Sequence, residues 1–282
     1  MSRVAVIGIV GNSVFLEVDK FHEGGETVEA RSVHFELGGK GFNQAVAAAR
    51  YGAEVSFLAA VGADSIDAVE KFLSGEGIAP SLGKKSEGTA FASIVTDKNG
   101  SNHVTVYQGA QLTSRDVEAF RESIACADIL LLNNEVDEGV NLKAIEIAKE
   151  NGVKIILNPA PARESDPYIL ESVDLFTPNE HETLGLEDKK NVIVTVGKRG
   201  CIIRSENDKN IPALSVARVV DTTGAGDTFN GVLAASIAEG KALSEAAGIA
   251  NAASSLGVCR RYAVSSIPTR NEIEEILKCK RV

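Results

Sequence analysis

Hydrophobic and polar positions along the chain alternate between two patterns, one typical of buried strands and one typical of amphipathic helices. Short apolar runs rich in β-branched residues recur, and segments with helical spacing lie between them. Because these runs lack polar alternation, they predict strands that helices cover on both faces. The runs occupy residues 4–9, 55–60, 129–132, 155–157, 175–177 and 192–196, and three helices are predicted at 228–239, 244–256 and 269–277. The pattern therefore predicts an α/β fold, with a doubly wound, mostly parallel sheet and helices on both faces.

A second group of segments alternates apolar with polar residues, which is typical of half-exposed strands. They form two pairs, residues 14–18 with 28–35 and residues 90–95 with 104–107, and glycine-containing turns lie between the members of each pair. We predict that they build a small antiparallel β lid from about residues 12–36 and 88–108, within a single domain of residues 1–282. Because unpaired strand edges and an apolar face favour a partner, the lid also predicts a homodimer.

Composition narrows the classes of function. The net charge of −10 argues against a surface for nucleic acid or for anionic membranes, although a nucleotide needs only a local positive pocket. No apolar run approaches the ~18–20 residues that a bilayer span requires. The four cysteines form no C-x-x-C pair, which argues against a structural zinc site or a disulfide framework. We therefore expect a cytoplasmic protein that binds small molecules.

The segment most indicative of chemistry is a glycine turn, residues 224–226, which precedes an apolar helical pattern. Gly224, Ala225 and Gly226 would present free backbone N–H groups at a helix N-terminus, where the helix dipole favours negative charge. Asp227 follows in the first turn of the helix. A carboxylate beside an anion site is suited to take a proton from a hydroxyl that attacks a phosphate. The alternative is that Asp227 caps the helix and the glycines only turn the chain.

Other candidate residues lie in loops that follow predicted strands or precede predicted helices. The sequence Gly-Gly-Lys-Gly at 38–41 would let backbone approach a ligand closely, or would be only a tight structural turn. It has neither the spacing of a Walker A loop nor that of a Rossmann fingerprint. Glu135 follows the predicted strand 129–132 and is either a solvated loop acid or an acceptor for sugar hydroxyls. Asn179 and Glu182 fit either a capping box or a site where the acid holds a magnesium-bound water.

Together these motifs resemble the ribokinase family, also called the phosphofructokinase-B family of carbohydrate kinases. The resemblance runs nearly the whole chain and rests on residues 38–45, Glu135, 158–163, 177–180, 195–200 and 221–231. It implies phosphoryl transfer from ATP to a primary alcohol of a sugar or a sugar-like molecule, with Mg²⁺ and, in ribokinase-like members, K⁺.

The resemblance also assigns roles to individual residues. It implies that Asp227 is the catalytic base and that the amides of Gly224, Ala225 and Gly226 form the anion hole. The sugar contacts would be Gly39, Lys40, Gly41, Asn43, Glu135 and, at a position where the family has an acid, Ser13. The nucleotide contacts would be Asn179, Thr195, Gly197, Lys198, Gly200, Gly226 and Asn251. Glu182 would organise Mg²⁺, and the K⁺ ligands would be Asp221, Thr223, Gly257, Arg260, Tyr262 and Ser266.

The chain departs from the family pattern in three places, which keep two alternatives open. Gly11-Asn12-Ser13 stands where an Asn-x-Asp pair reads the sugar hydroxyls, so specificity for ribose is not assured. Residues 184–190 lead into the next strand without the usual helix. Tyr262 replaces a glycine in the proposed K⁺ loop. If the loop requires a positive φ at this position, a tyrosine is sterically unfavourable there. The alternatives are a nucleoside kinase, for which the lid offers aromatic residues, and a catalytically silent sugar- or nucleotide-binding protein. The aromatic residues are Phe15, Phe35, Phe42, Phe91 and Tyr107.

Overall fold

A computed structural model describes residues 2–205 and 207–279. The strands are β1 (Arg3–Ile7), β2 (Gly11–Val18), β3 (Ala30–Gly38), β4 (Glu54–Gly62), β5 (Ala79–Lys85), β6 (Ala90–Thr96), β7 (Asn102–Tyr107), β8 (Ile129–Asn133), β9 (Lys154–Asn158), β10 (Leu175–Phe176), β11 (Ile193–Thr195), β12 (Cys201–Ile203) and β13 (Lys209–Ile211). The helices are α1 (Lys40–Tyr51), α2 (Ile66–Gly75), α3 (Ser114–Ala119), α4 (Arg121–Ala125), α5 (Glu138–Glu150), α6 (Pro167–Ser172), α7 (Ala225–Ala238), α8 (Leu243–Gly257) and α9 (Arg270–Cys279).

The central sheet has six strands in the order β10-β9-β8-β1-β4-β5, and every neighbouring pair is parallel. Alternate residues of β1 point to opposite faces, so that Val4 and Val6 enter one hydrophobic core while Ala5 and Ile7 enter the other. Helices cover both cores, which explains why these strands lack polar alternation. The predicted α/β fold with helices on both faces is confirmed, as are the three helices at the end of the chain.

The predicted strand at 192–196 does not belong to the six-stranded sheet. The strand β11 instead pairs antiparallel with β12, in a separate three-stranded sheet that β13 completes. Two single parallel bridges, Phe176 with Val192 and Asn179 with Thr195, connect β11 and the residue before it to the chain at the edge of the main sheet. The chain reverses at Gly200, which has a φ of 97° that glycine adopts more easily than other residues. This reversal forms the hairpin between β11 and β12. Between 182 and 190 the chain forms turns, in agreement with the prediction that the usual helix of the family is absent there.

The lid consists of the four strands in the order β3-β2-β6-β7. The outer pairs, β2 with β3 and β6 with β7, are antiparallel as predicted, whereas the central pair, β2 with β6, is parallel. A Cβ atom on Gly11 would lie 2.7 Å from the carbonyl oxygen of Ala90, so the two strands approach too closely there for a side chain. Within the described ranges, no helix has the length and apolar character that a membrane crossing requires.

Candidate active site

Two helix N-termini meet at the carboxyl edge of the central sheet. Helix α7 begins after Gly224, which has a φ of 73°, and α1 begins after Gly39, which has a φ of 110°. The helices pack closely, since a Cβ atom on Gly231 would lie 2.2 Å from the carbonyl oxygen of Gln44. The first N–H groups of both helices have no partner within their own helix, and the two dipoles favour negative charge there.

Asp227 lies in the first turn of α7 and is 8% exposed. Its Oδ2 accepts a hydrogen bond from Asn43 Nδ2 at 2.9 Å, and its Oδ1 accepts a longer one from Gln44 Nε2 at 3.4 Å. These partners belong to α1, so the carboxylate bonds across the helix pair and not to the N-terminus of its own helix. The structure thus brings together the glycine turn and the Gly-Gly-Lys-Gly loop, although 184 residues separate Asn43 from Asp227.

The charges of this site alter one another's protonation. Burial raises the pKa of Asp227, while the Lys40 charge and the amides of Asn43 and Gln44 lower it. The charge of Asp227 raises the pKa of Lys40. Burial and then the charge of Asp227 raise the pKa of Glu135 to about 7, against the lowering effect of Lys40. Two acids and one lysine in a weakly solvated site are a pattern of acid–base and hydroxyl-binding centres.

The position of Glu135 follows from its contact with the start of α1. Its Oε2 accepts a hydrogen bond from the backbone N–H of Lys40 at 2.7 Å. Asn133, at the end of β8, accepts from the backbone N–H of Glu135 at 3.0 Å and fixes the loop. The carboxylate therefore lies beside the predicted sugar loop, and not in a solvated surface loop.

A chain of buried amides behind Asp227 was not predicted from the sequence. Gln44 Nε2 also donates to Asn158 Oδ1 at 3.2 Å, and Asn158 Nδ2 donates to the carbonyl of Thr177 at 2.9 Å. This network links α1 to the carboxyl ends of neighbouring strands in the central sheet. A signal was present, because Asn158 directly follows an apolar strand, but only the fold shows that Gln44 reaches it.

The predicted nucleotide residue Asn179 and the predicted magnesium residue Glu182 lie in the turns that follow β10. Asn179 accepts from the backbone N–H of His181 at 2.8 Å, and Glu182 accepts from the backbone N–H of Asn179 at 2.9 Å. The Glu182 contact is that of a capping box, but the Asn179 side chain accepts from residue i+2 and not i+3, and a turn and not a helix follows. The charge of Glu182 also raises the pKa of both Lys40 and Asp227, so its carboxylate lies near the same centre.

The 3₁₀ turn Gly197–Arg199 follows β11 and is exposed. A hydrogen bond from the backbone N–H of Thr195 to the carbonyl of Pro178, at 2.9 Å, fixes the position of Thr195. Gly200 closes the turn, where a Cβ atom would lie 2.1 Å from the carbonyl oxygen of Ile211. Asn251 of α8 donates from Nδ2 to that same carbonyl at 2.9 Å. Its amide nitrogen therefore joins α8 to β13, a structural role that the sequence did not indicate.

The chain is similar to known proteins over nearly its whole length. A family model described as pfkB family carbohydrate kinase matches residues 1–270. The chain belongs to this family. Ribokinase from Haemophilus influenzae is 35% identical over 98% of this chain and 98% of its own length. The crystal structure of ribokinase from Thermotoga maritima is similar with a TM-score of 0.88 and 32% identity, over 99% of this chain and 100% of that one. Arabidopsis thaliana ribokinase, complexed with ribose and ATP, has a TM-score of 0.85 and 27% identity over 99% of each chain.

The residues that the family resemblance assigns to K⁺ surround the start of α7. Asp221 Oδ1 accepts from the backbone N–H of Thr223 at 2.9 Å, and its Oδ2 accepts from the backbone N–H of Tyr262 at 2.9 Å. A Cβ atom on Gly257 would lie 3.8 Å from the carbonyl oxygen of Ser266. Arg260 turns its guanidinium away to pair with Glu272. Both carboxylate oxygens of Asp221 thus connect the segment before α7 to the loop that contains Tyr262.

Tyr262 adopts the positive φ that is predicted from the sequence to be unfavourable for a tyrosine. Its φ is 71°, and it is the sole non-glycine residue with a positive φ in the described part of the chain. The ring stacks on His34 of the lid, with centroids 3.7 Å apart and planes 9° from parallel. We infer that this packing offsets the steric cost of the backbone conformation.

The structure explains why residues 11–13 differ from the Asn-x-Asp pattern of the family. Because a Cβ atom at Gly11 would meet Ala90, the asparagine of the family pattern has no room in this lid. Ser13 presents a hydroxyl where the family has an acid, and it pairs with Glu36 of β3. The carboxylate of Glu36 instead binds the loop at 263–265, from which both of its oxygens accept hydrogen bonds.

The described side chains around Asp227 could supply only some of the ligands of a divalent metal ion. Among residues 2–205 and 207–279, no group of three or more His, Cys, Asp or Glu side chains could hold a metal by itself. Glu182 is a single acid beside the centre, which suits Mg²⁺ that keeps most of its ligands as water and phosphate.

Proposed function

We propose that the protein is an ATP-dependent carbohydrate kinase that phosphorylates a primary hydroxyl of a pentose or a related small sugar. The observation that carries this proposal is Asp227, buried beside the glycine turn and bonded to Asn43 of the second motif at 2.9 Å. Membership of the pfkB family and the similarity to ribokinases support it.

In this proposal Asp227 accepts the proton of the sugar hydroxyl as that oxygen attacks the terminal phosphate of ATP. Its raised pKa makes it a better proton acceptor than a solvated carboxylate, and the positive charge of Lys40 favours its ionised form. The amides of Gly224, Ala225 and Gly226 would stabilise the charge on the transferred phosphoryl group. Transfer of this kind needs positioning and charge neutralisation more than covalent chemistry.

The sugar would lie between the lid and the N-terminus of α1. Glu135 and Lys40 would bind its hydroxyls, and Asn43 would hold both the sugar and Asp227. Gly39 and Gly41 would allow the backbone to approach the sugar, and Ser13 would contact it from the lid. A Cβ atom on Gly41 would lie 2.6 Å from Cα of Gly8, so this approach is already close.

ATP would bind on the side of Asn179. The residues proposed to contact it are Asn179, Thr195, Gly197, Lys198, Gly200, Gly226 and Asn251. Glu182 would position Mg²⁺ through water, and Mg²⁺ would neutralise charge on the phosphates. K⁺ would be bound by oxygens of Asp221, Thr223, Gly257, Arg260, Tyr262 and Ser266, next to the glycine turn. The buried hydroxyl of Thr228, which has no hydrogen-bond partner, lies at this same place and would complete its polar lining.

The second candidate function is a nucleoside kinase. The aromatic residues of the lid favour it, since Phe91 and Tyr107 face each other across β6 and β7 and are 40% and 55% exposed. A panel of pentoses, hexoses and nucleosides, with release of ADP as the readout and with and without K⁺, separates the two. The proposal expects the highest kcat/KM on a pentose. A nucleoside with the highest value would overturn it, and ligand binding without turnover on any compound would favour a silent binding protein.

We also propose that the lid forms a homodimer. The edge strands β3 and β7 expose apolar side chains, which a monomer rarely leaves open to water. These are Val33, Phe35, Val104, Val106 and Tyr107, with exposures from 54% to 71%. Light scattering after size-exclusion chromatography should give the mass of two chains. A single peak at the mass of one chain would contradict the dimer.

A further inference from the structure

The lid is attached to the loop between α8 and α9 by a carboxylate that the proposed chemistry does not use. Oε1 of Glu36 accepts from the backbone N–H of Ala263 at 2.8 Å. Oε2 accepts from Ser265 twice, from its hydroxyl at 3.0 Å and from its backbone N–H at 3.3 Å. The Glu36 side chain is only 7% exposed. Hydrogen bonds from amides to a shielded carboxylate hold a loop more firmly than bonds between neutral groups.

A ring stack adds a second attachment at the neighbouring position. His34 lies two residues before Glu36 on β3, so both side chains project from the same face of the lid. The His34 ring stacks on Tyr262, and Phe15 packs against Tyr262 with ring centroids 5.2 Å apart. Because Tyr262 has a positive φ, the loop conformation at this residue depends on such contacts.

The same loop lies directly against the glycine turn. A Cβ atom on Gly224 would be 3.1 Å from Cα of Ala263, so the two backbones touch. Tyr262 N–H donates to Asp221 Oδ2, and the other oxygen of Asp221 accepts from Thr223 N–H. Contacts therefore continue from the lid strand, through residues 262–265, to the turn that precedes Asp227.

We propose that Glu36 is a positioning residue, which holds the loop at 262–265 against the glycine turn and thereby sets the geometry of the anion hole from the lid. The inference rests on the proposed function, in which that turn stabilises the transferred phosphoryl group. Glu36 touches neither reacting group. Its effect on the rate is through Ala263 and Gly224, and displacement of catalytic groups by about 1 Å costs up to ~10²-fold in rate.

The kinetic test compares Glu36→Ala, Glu36→Gln and the control Glu17→Gln. Glu17 is also a lid residue and pairs with Arg261 of the same loop, but this pair is exposed. We expect kcat to fall ~10- to 10²-fold in E36A, with the KM values for sugar and ATP within about threefold of the parent. E36Q keeps one acceptor oxygen and should lie between, and E17Q should stay within about twofold. Unchanged kcat in E36A, or an equal loss in E17Q, would overturn the inference.

A second measurement needs no activity. Hydrogen exchange of the backbone amides is followed in the ligand-free full chain, for the parent, E36A and E17Q. We expect faster exchange in E36A at 262–265 and also at 222–226, with no change in β8. Unchanged exchange at 222–226 would contradict the inference. This result is independent of turnover, so a parent that phosphorylates no sugar would refute the proposed function and leave the role of Glu36 to be decided by exchange.

Discussion

The sugar side and the nucleotide side of the proposed active site are built in different ways. On the sugar side, Lys40, Glu135 and Asp227 come from three separate parts of the chain and shift one another's pKa. On the nucleotide side, Gly197 and Lys198 lie on one exposed turn. The first region works through side-chain charges in a site with little water, whereas the second presents mostly backbone.

This difference predicts how each region responds to substitution. Charges that are shielded from water interact strongly, while exposed charges are screened by solvent and salt. Removal of one charge on the sugar side should therefore change the rate and its dependence on pH. Removal of an exposed charge on the nucleotide side should change ATP binding slightly and the rate hardly at all.

The largest effect is expected for Asp227→Asn. Loss of the general base should lower kcat by ~10²–10⁴-fold in a steady-state assay with sugar and ATP. Burial raises the pKa of Asp227, so its contribution to stability is present below the unfolded pKa and is lost as pH rises through the folded pKa. The neutral amide avoids that cost, and we expect the Tm of the variant at pH 8 to equal or exceed that of the parent. Activity within a few-fold of the parent would refute the role of Asp227.

A smaller effect, with a distinct pH signature, is expected for Glu135→Gln. With a pKa of about 7, Glu135 gains its charge as pH rises from 6 to 8, and the charged form is the better acceptor for sugar hydroxyls. The sugar KM of the parent should fall over this range, by ~10-fold at most, and that of E135Q should be higher and independent of pH.

The same residue predicts a stability difference. The raised pKa means that Glu135 stabilises the fold fully below its unfolded value of 4.5 and loses this contribution as pH rises through about 7. Thermal unfolding at pH 5 and pH 8 should show a smaller decline of Tm in E135Q than in the parent. Equal declines would mean that Glu135 is not protonated in the fold at pH 5.

The smallest effect is expected for Lys198→Ala. Its side chain is exposed on the 3₁₀ turn, so we expect the KM for ATP to rise by about threefold or less, with kcat unchanged. ATP titrations at low and high salt provide the measurement. A loss of kcat as large as that of Glu135→Gln would remove the contrast between the two sides.

Much of this architecture could be predicted from the sequence because its signals are local. Apolar runs without polar alternation indicated the parallel sheet, and the glycines before Asp227 indicated a helix N-terminus. The prediction that the strand at 192–196 belongs to the parallel sheet is wrong, because an apolar pattern shows that a strand is buried but not which strand it pairs with. The hairpin with β12 depends on the reversal at Gly200, and short exposed strands such as β13 carry little apolar pattern.

The site could be predicted as a set of residues but not as a network. The link from Gln44 through Asn158 to Thr177 joins distant segments, and nothing in their local sequence indicates that they meet. The same holds for Glu36, which lies 227 residues from Ala263 and looks like an ordinary polar position of an alternating strand. The sequence predicts that a tyrosine at 262 is unfavourable in a loop with positive φ, but only the structure shows that its ring stacks on His34.

The most direct measurement is the identity of the phosphorylated product. Purified protein is incubated with a pentose, ATP, Mg²⁺ and K⁺, and the products are followed by ³¹P NMR with proton coupling. We predict a phosphate monoester coupled to two methylene protons, as expected for a primary hydroxyl, together with one ADP for each ester and ester formation at least ~10²-fold slower with D227N. Formation of ADP without an ester, or an ester on a secondary carbon, would contradict the account.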